Sequence, residues 1–272
     1  MQKLFLLIIL LFSCAIVHAK PRGLVTNDSS YIVYNQSREY TVDGKNIETV
    51  RPIASITKLM TAIVYLDANL DLNQKIKILP GSWLPRSEYT RRELLAAMLV
   101  NSNNAAAETL ANDYPGGRSA FISAMNQRSK DMGSKTMQFH DPSGLTIMNV
   151  ATINDIVTLG AVAYHYPLIK QFASQQKITI NAHLKKTKKS IELYNTNRPL
   201  LSEFNSISLS KTGFTQAAGW CVVMVIEKAK ERFVVAILGS KSKQNRLAEA
   251  RKLLNTHTAT QQNIRDYVAI KE

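Results

Sequence analysis

Ala54-Ser55-Ile56-Thr57-Lys58-Leu59-Met60 opens a long run in which apolar residues recur at helical spacing. Pro52 and Ile53 lead into it, and Ile56, Leu59, Met60, Ile63, Val64 and Leu66 continue it as far as Asp67. A serine in the first turn of such a helix lies among unpaired backbone N–H groups, at the positive end of the helix dipole. Lys58 follows three residues later on the same face, within reach of the hydroxyl. That is the pattern of a serine nucleophile with a lysine base. Alone it also fits a serine that merely starts a helix. The same spacing recurs at Ser174/Lys177, Ser208/Lys211 and Ser240/Lys243, none of which opens an amphipathic helix.

Outward from this stretch, the chain divides by pattern. Ser30-Tyr31-Ile32-Val33-Tyr34 reads as a strand, Asn35-Gln36-Ser37 as a turn, and Glu39-Tyr40-Thr41-Val42 as the returning strand. Thr90-Arg91-Arg92-Glu93 is a capping box opening a helix through Leu94, Leu95, Met98 and Leu99. Helical character resumes from Ala105 to Leu110 and from Ser119 to Met132, and Thr152-Ile153-Asn154-Asp155 caps another helix running toward Tyr166-Pro167. Beyond Ile178 strands return. Ile207 to Lys211 alternates, which places Lys211 at a strand end, and Cys221–Ile226 with Phe233–Leu238 reads as a hairpin of central strands. Gln244 to Leu254 closes the chain as an amphipathic helix. Strands at both ends with helices between predict one mixed unit, an antiparallel sheet with a helical insertion at about 67–170.

Length and charge narrow the reading. The 272 residues can bury one large core or two modest lobes. Lys3 precedes an apolar run from Leu4 to Val17, and Val17-His18-Ala19 resembles a signal-peptidase site. Residues 1–19 are therefore expected to be a cleaved export signal, with residues 20–272 forming the mature domain. Cys14 leaves with the signal, and Cys221 is left as a single buried strand residue, so packing rather than disulfides must hold the fold. The net charge is +14. A basic surface suits an anionic partner, but Lys185-Lys186-Thr187-Lys188-Lys189 lacks interleaved aromatics and equally fits a solvated hairpin tip. No nucleic-acid partner is expected. Tyr267-Val268-Ala269-Ile270 is too short for a membrane-surface anchor.

Two further motifs accompany Ser55-x-x-Lys58. Ser102-Asn103-Asn104 falls between two helical stretches, and Lys211-Thr212-Gly213 ends the alternating strand; Ser-x-Asn and Lys-Ser/Thr-Gly each occur once in the chain. Read singly, Ser102 and Asn104 could simply cap the helix starting at Ala105, and Lys211-Thr212-Gly213 could be a strand end and turn. His140 near Ser143 suggests a triad, although Asp141-Pro142-Ser143-Gly144 has the composition of a turn. Gly-x-Ser-x-Gly is absent and no histidines have metal-ligand spacing, so no metal or other cofactor is expected.

The ordered trio resembles the penicillin-recognising serine peptidases, which include D-alanyl-D-alanine peptidases and class A β-lactamases. Within them the chain is most similar to the short endopeptidase branch of the low-molecular-mass penicillin-binding proteins. Arg51 to Met60, Tyr114-Pro115-Gly116-Gly117, Asn195-Thr196-Asn197 and Lys211 to Gly219 carry the likeness. It implies an α+β fold of the β-lactamase/transpeptidase type, with a five-stranded antiparallel sheet flanked by helices. It also implies a periplasmic enzyme acting on D-alanyl bonds of peptidoglycan peptides, with β-lactams as covalent inhibitors. Carried over, Ser55 is the nucleophile, Lys58 the base and Ser102 a proton carrier to the leaving amine. Asn104 holds the substrate peptide, and Lys211 and Thr212 bind its carboxylate. The backbone N–H groups of Ser55 and Phe214 form the oxyanion hole, and Gly213 allows close approach. A lysine base must be neutral, which at pH 7 costs roughly 4.6 kcal/mol from an ordinary pKa of about 10.4. Burial and a second cation, here Lys211 facing Lys58, are the expected causes of a lowered value.

A cross-link endopeptidase is the leading reading, and a D-alanyl-D-alanine carboxypeptidase the nearest alternative. A β-lactamase would need the class A Glu-x-x-Leu-Asn motif, which this chain lacks. A non-catalytic wall or nucleic-acid binder would use the basic surface alone.

Overall fold

The computed structural model describes residues 28–184 and 187–257. The apolar N-terminal run, Cys14, Lys185, Lys186 and Tyr267 to Ile270 lie outside them.

In chain order, β1 (Ser30–Asn35) and β2 (Tyr40–Lys45) form a hairpin, and β3 (Arg51–Pro52) leads to a 3-10 turn, Ala54–Ile56. Helix α1 (Thr57–Asp67) continues directly from that turn. Strands β4 (Lys75–Lys77) and β5 (Glu88–Thr90) precede α2 (Arg91–Val100), α3 (Asn104–Asp113) and α4 (Gly117–Asp131). Strand β6 (Val150–Ala151) is followed by α5 (Ile153–Tyr164) and α6 (Pro167–Ser174). The hairpin of β7 (Lys177–His183) and β8 (Lys188–Tyr194) leads through α7 (Arg198–Glu203) to β9 (Ile207–Thr215), β10 (Gly219–Lys228), β11 (Glu231–Ser240) and α8 (Lys243–His257).

The main sheet has five antiparallel strands in the order β2-β1-β11-β10-β9, so the first and last described strands pair in it. Its centre is covered on both faces, which explains the unbroken apolar runs of β10 and β11. Val223, Val225, Val234, Ala236 and Leu238 pack with residues of α1 and α5, while Val222, Met224, Ile226, Val235 and Ile237 pack with α7 and α8. The period of two divides each strand between the two cores. A second sheet, β4-β5-β7-β8, edges the helical lobe.

Local signals explain most helix starts. Thr90 accepts from the Glu93 N–H, and the Glu93 carboxylate accepts from the Thr90 N–H; Thr152 and Asp155 repeat the arrangement at α5. Helices α6 and α7 were not anticipated. Proline stands in the first turn of each, where its missing N–H costs nothing, so Pro167 begins a helix as well as closing the one before. Three helices are joined by a largely buried cluster: the Arg91 guanidinium pairs with Asp113, which also accepts from the Tyr65 hydroxyl.

Candidate active site

Ser55 stands in the 3-10 turn rather than in the first α-helical turn. The correction is small in distance but matters for shape, because Ala54 is held at φ +46°, a costly conformation for a residue with a Cβ. Two neighbours grip the turn. A Cβ on Gly213 would lie 2.9 Å from the Ser55 backbone nitrogen, and one on Gly144, itself at φ +81°, only 2.0 Å from the Ala54 carbonyl oxygen. Gly213 is thus required by the enzyme's own turn, whatever room it gives a ligand.

The Lys58 amine lies 2.8 Å from Ser55 Oγ, 2.7 Å from Asn104 Oδ1 and 2.6 Å from the Ser143 carbonyl oxygen. The last two groups can only accept. A neutral amine would spend both its N–H bonds on them and turn its lone pair toward the serine hydroxyl. Lys58 is fully buried, and burial lowers its pKa to about 7, against the weaker opposing pull of Asp141 and Glu108. The second cation expected to act on Lys58 leaves its mark on the other lysine: Lys211 is pushed well below its ordinary value by burial first, then by Lys58 and Arg246.

Asn103, not Ser102 or Asn104, caps α3: its side chain accepts from the Ala106 N–H at 2.9 Å. The residues on either side are thereby released toward the cleft. Asn104 turns to Lys58, and Ser102, at φ +60°, accepts from the Lys211 amine at 2.9 Å. Lys211 sits inside β9 rather than at its end, because the strand continues through Thr212-Gly213-Phe214 in register with β10. Its amine also donates to the Thr212 carbonyl at 2.9 Å. The Thr212 hydroxyl bonds Thr196 Oγ1 at 2.6 Å, and Phe214, half exposed, stacks on Trp220 with ring centroids 4.2 Å apart. His140 joins no triad: it is exposed, its backbone N–H donates to Asn149, and Asp141 is occupied by the turn.

Sequence reading missed three contributors. Ser143 acts through its carbonyl, which has no residue-type signature. Asp141 fixes that carbonyl by accepting from the N–H groups of Ser143, Gly144 and Thr146. Arg246 of α8 is 2% exposed, and its Nε and Nη2 have no partner. It borders a cleft of ≈ 390 Å³ together with Ser55, Ser102, Thr196, Thr212 and Phe214.

A cleft bordered by a serine hydrogen-bonded to a buried lysine and by a buried arginine suits acyl transfer to an anionic peptide. The model of the D-alanyl-D-alanine carboxypeptidase family, peptidase S11, matches residues 18–242. The chain belongs to this family. Among S11-like relatives, the D-alanyl-D-alanine endopeptidase of Escherichia coli K12 is 37% identical over 234 residues, covering 82% of this chain and 75% of that protein. The Streptomyces K15 DD-transpeptidase structure superposes with a TM-score of 0.78 at 26% identity, over 83% of this chain and 94% of that one. Ampicillin-bound penicillin-binding protein D2 of Listeria monocytogenes gives 0.76 at 28% identity, over 85% and 97%. The fold is therefore the α+β, five-stranded form expected of the family.

Proposed function

We propose that this protein is an exported serine DD-endopeptidase that hydrolyses D-alanyl cross-links of peptidoglycan through an ester on Ser55. The observation that carries the reading is the pairing of Ser55 with an amine whose other hydrogen bonds go to Asn104 and Ser143. Similarity to endopeptidases supports the cross-link substrate, and the apolar run after Lys3 supports export.

In the first half-reaction Lys58 takes the hydroxyl proton as Ser55 Oγ attacks the D-alanyl carbonyl carbon. The backbone N–H groups of Ser55 and Phe214 receive the oxyanion. Collapse breaks the amide bond, and the proton passes by way of Ser102 to the departing amine. Water then adds to the ester, again giving a proton to Lys58, and Ser55 leaves with that proton restored. Lys211 and Thr212 hold the substrate carboxylate, whose negative charge opposes the burial that depresses the Lys211 amine. Asn104 steadies both Lys58 and the substrate peptide.

Purified mature protein incubated with cross-linked muropeptide dimers should yield monomers, and Ser55→Ala should abolish both this and labelling by a fluorescent penicillin while remaining folded. Release of terminal D-alanine with dimers left intact would instead establish the carboxypeptidase reading, which the family description favours. Rapid hydrolysis of a chromogenic cephalosporin would overturn both.

A further inference from the structure

Large apolar side chains in this protein are mostly buried, yet Trp83 is 60% exposed and Tyr194 43%. Single exposed aromatics are ordinary. These two are tied to each other and to the catalytic wall. The Trp83 indole Nε1 donates to Asn101 Oδ1 at 3.2 Å, and Asn101 Nδ2 donates to the Tyr194 carbonyl at 3.2 Å. Asn101 immediately precedes Ser102, and Tyr194 lies two residues before Thr196, both of which line the cleft. Asn103 Nδ2 donates to Ser82 Oγ at 2.8 Å, and the Thr196 N–H to the Val100 carbonyl at 3.1 Å, so the lip is anchored on both sides. The indole nitrogen is thus committed to holding the ring in place, while the ring itself remains open to solvent.

The rim has a specific chemistry. Arg198 stands 5.2 Å from the Tyr194 ring centroid, covering one face and presenting guanidinium donors beside it. The Tyr194 hydroxyl donates to Glu192 at 2.6 Å. Fixed aromatic surface edged by donors and acceptors matches a pyranose, which has an apolar C–H face and a rim of hydroxyl and acetamido groups. Peptides of the wall are covalently attached to a glycan made of such rings, so a substrate lying in the cleft brings a sugar within reach of its lip.

We infer that Trp83 and Tyr194, joined through Asn101, form a saccharide subsite that takes an N-acetylated hexopyranose of the glycan strand. The inference rests on the peptidoglycan reading of the cleft. Contacts remote from the scissile bond would then position the peptide, so that polymeric wall is cut more readily than free peptide.

The probe is the peptide-free β-1,4-linked tetramer of N-acetylglucosamine, titrated into Ser55→Ala protein by calorimetry and tryptophan fluorescence. Of the two tryptophans, Trp220 lies in the cleft wall, and its share of the signal is read from the Trp83→Ala protein. Saturable binding is expected, weakened about tenfold by an added Trp83→Ala, a loss of ~1.4 kcal/mol. Trp83→Tyr, which keeps a ring but not the indole N–H, should recover most of it. In the active enzyme, Trp83→Ala and Tyr194→Ala should leave turnover of a free peptide dimer within about twofold while slowing release from intact sacculi roughly tenfold. No saturable binding of the tetramer, or equal losses on dimer and sacculi, would overturn the inference; the second result would make Trp83 a prop for the Asn101–Ser102 loop. If the unmutated enzyme cut neither substrate, the peptidase reading would fall, and the tetramer titration would still decide the subsite.

Discussion

At the residue scale, the proposed chemistry depends on keeping one lysine uncharged. Moving its pKa from 10.5 to about 7 represents about 5 kcal/mol of differential interaction between its two protonation states. The folded state holds fewer protons than the unfolded chain between those values. The penalty of burying Lys58 is therefore full below pH 7 and relieved as pH rises through the window. With the unprotonated amine as the proposed base, acylation by penicillin should rise with pH through a midpoint near 7. Asp141 favours the charged form of Lys58, so Asp141→Ala should move that midpoint downward. Stopped-flow labelling across about pH 5 to 11 tests both, and an unshifted lysine profile near 10 would remove Lys58 from the role of base.

Among elements, the decisive contact is that of β9 against the 3-10 turn. A Gly213→Ala methyl would meet Ser55 N, Ala54 Cβ and the Ile53 carbonyl, all within 3.1 Å. Two of these are backbone atoms, so the turn must move. We expect Gly213→Ala to slow penicillin acylation at least roughly tenfold, because a shift of about 1 Å in a nucleophile is costly. The Arg91–Asp113–Tyr65 cluster makes the opposite case. Asp113→Ala strands a buried guanidinium and should cost about 3–5 kcal/mol in urea unfolding, with acylation at low temperature nearly unchanged. Equal damage to both readouts by either variant would dissolve the distinction between shaping the site and holding the lobe.

Across the whole molecule, charge and topology act together. The second sheet exposes Lys75, Lys77, Lys188 and Lys189 against Glu88 and Glu192, within a chain of net charge +14. Attraction between a basic surface and an anionic polymer is screened within about 10 Å at 0.1 M salt, and the proposed substrate is such a polymer. Binding of Ser55→Ala protein to sacculi should therefore weaken several-fold between about 0.05 and 0.5 M salt, measured by co-sedimentation. Salt-independent binding would leave the basic face without a role. Sequence alone determined the alternating strands, the capping boxes at Thr90 and Thr152, and the three motifs, because each depends on neighbours a few residues apart. It did not reveal α6 and α7, whose prolines read as stops, nor the place of Lys211 inside a strand. Ser143, Asp141 and Arg246 were equally silent: a carbonyl, a turn carboxylate and a helix arginine become part of a site only by position. Bringing residues 55, 102, 143, 211 and 246 to one site required the sheet that joins the first and last described strands. Long-range packing decided it, since no local pattern encodes which distant groups share a dry space.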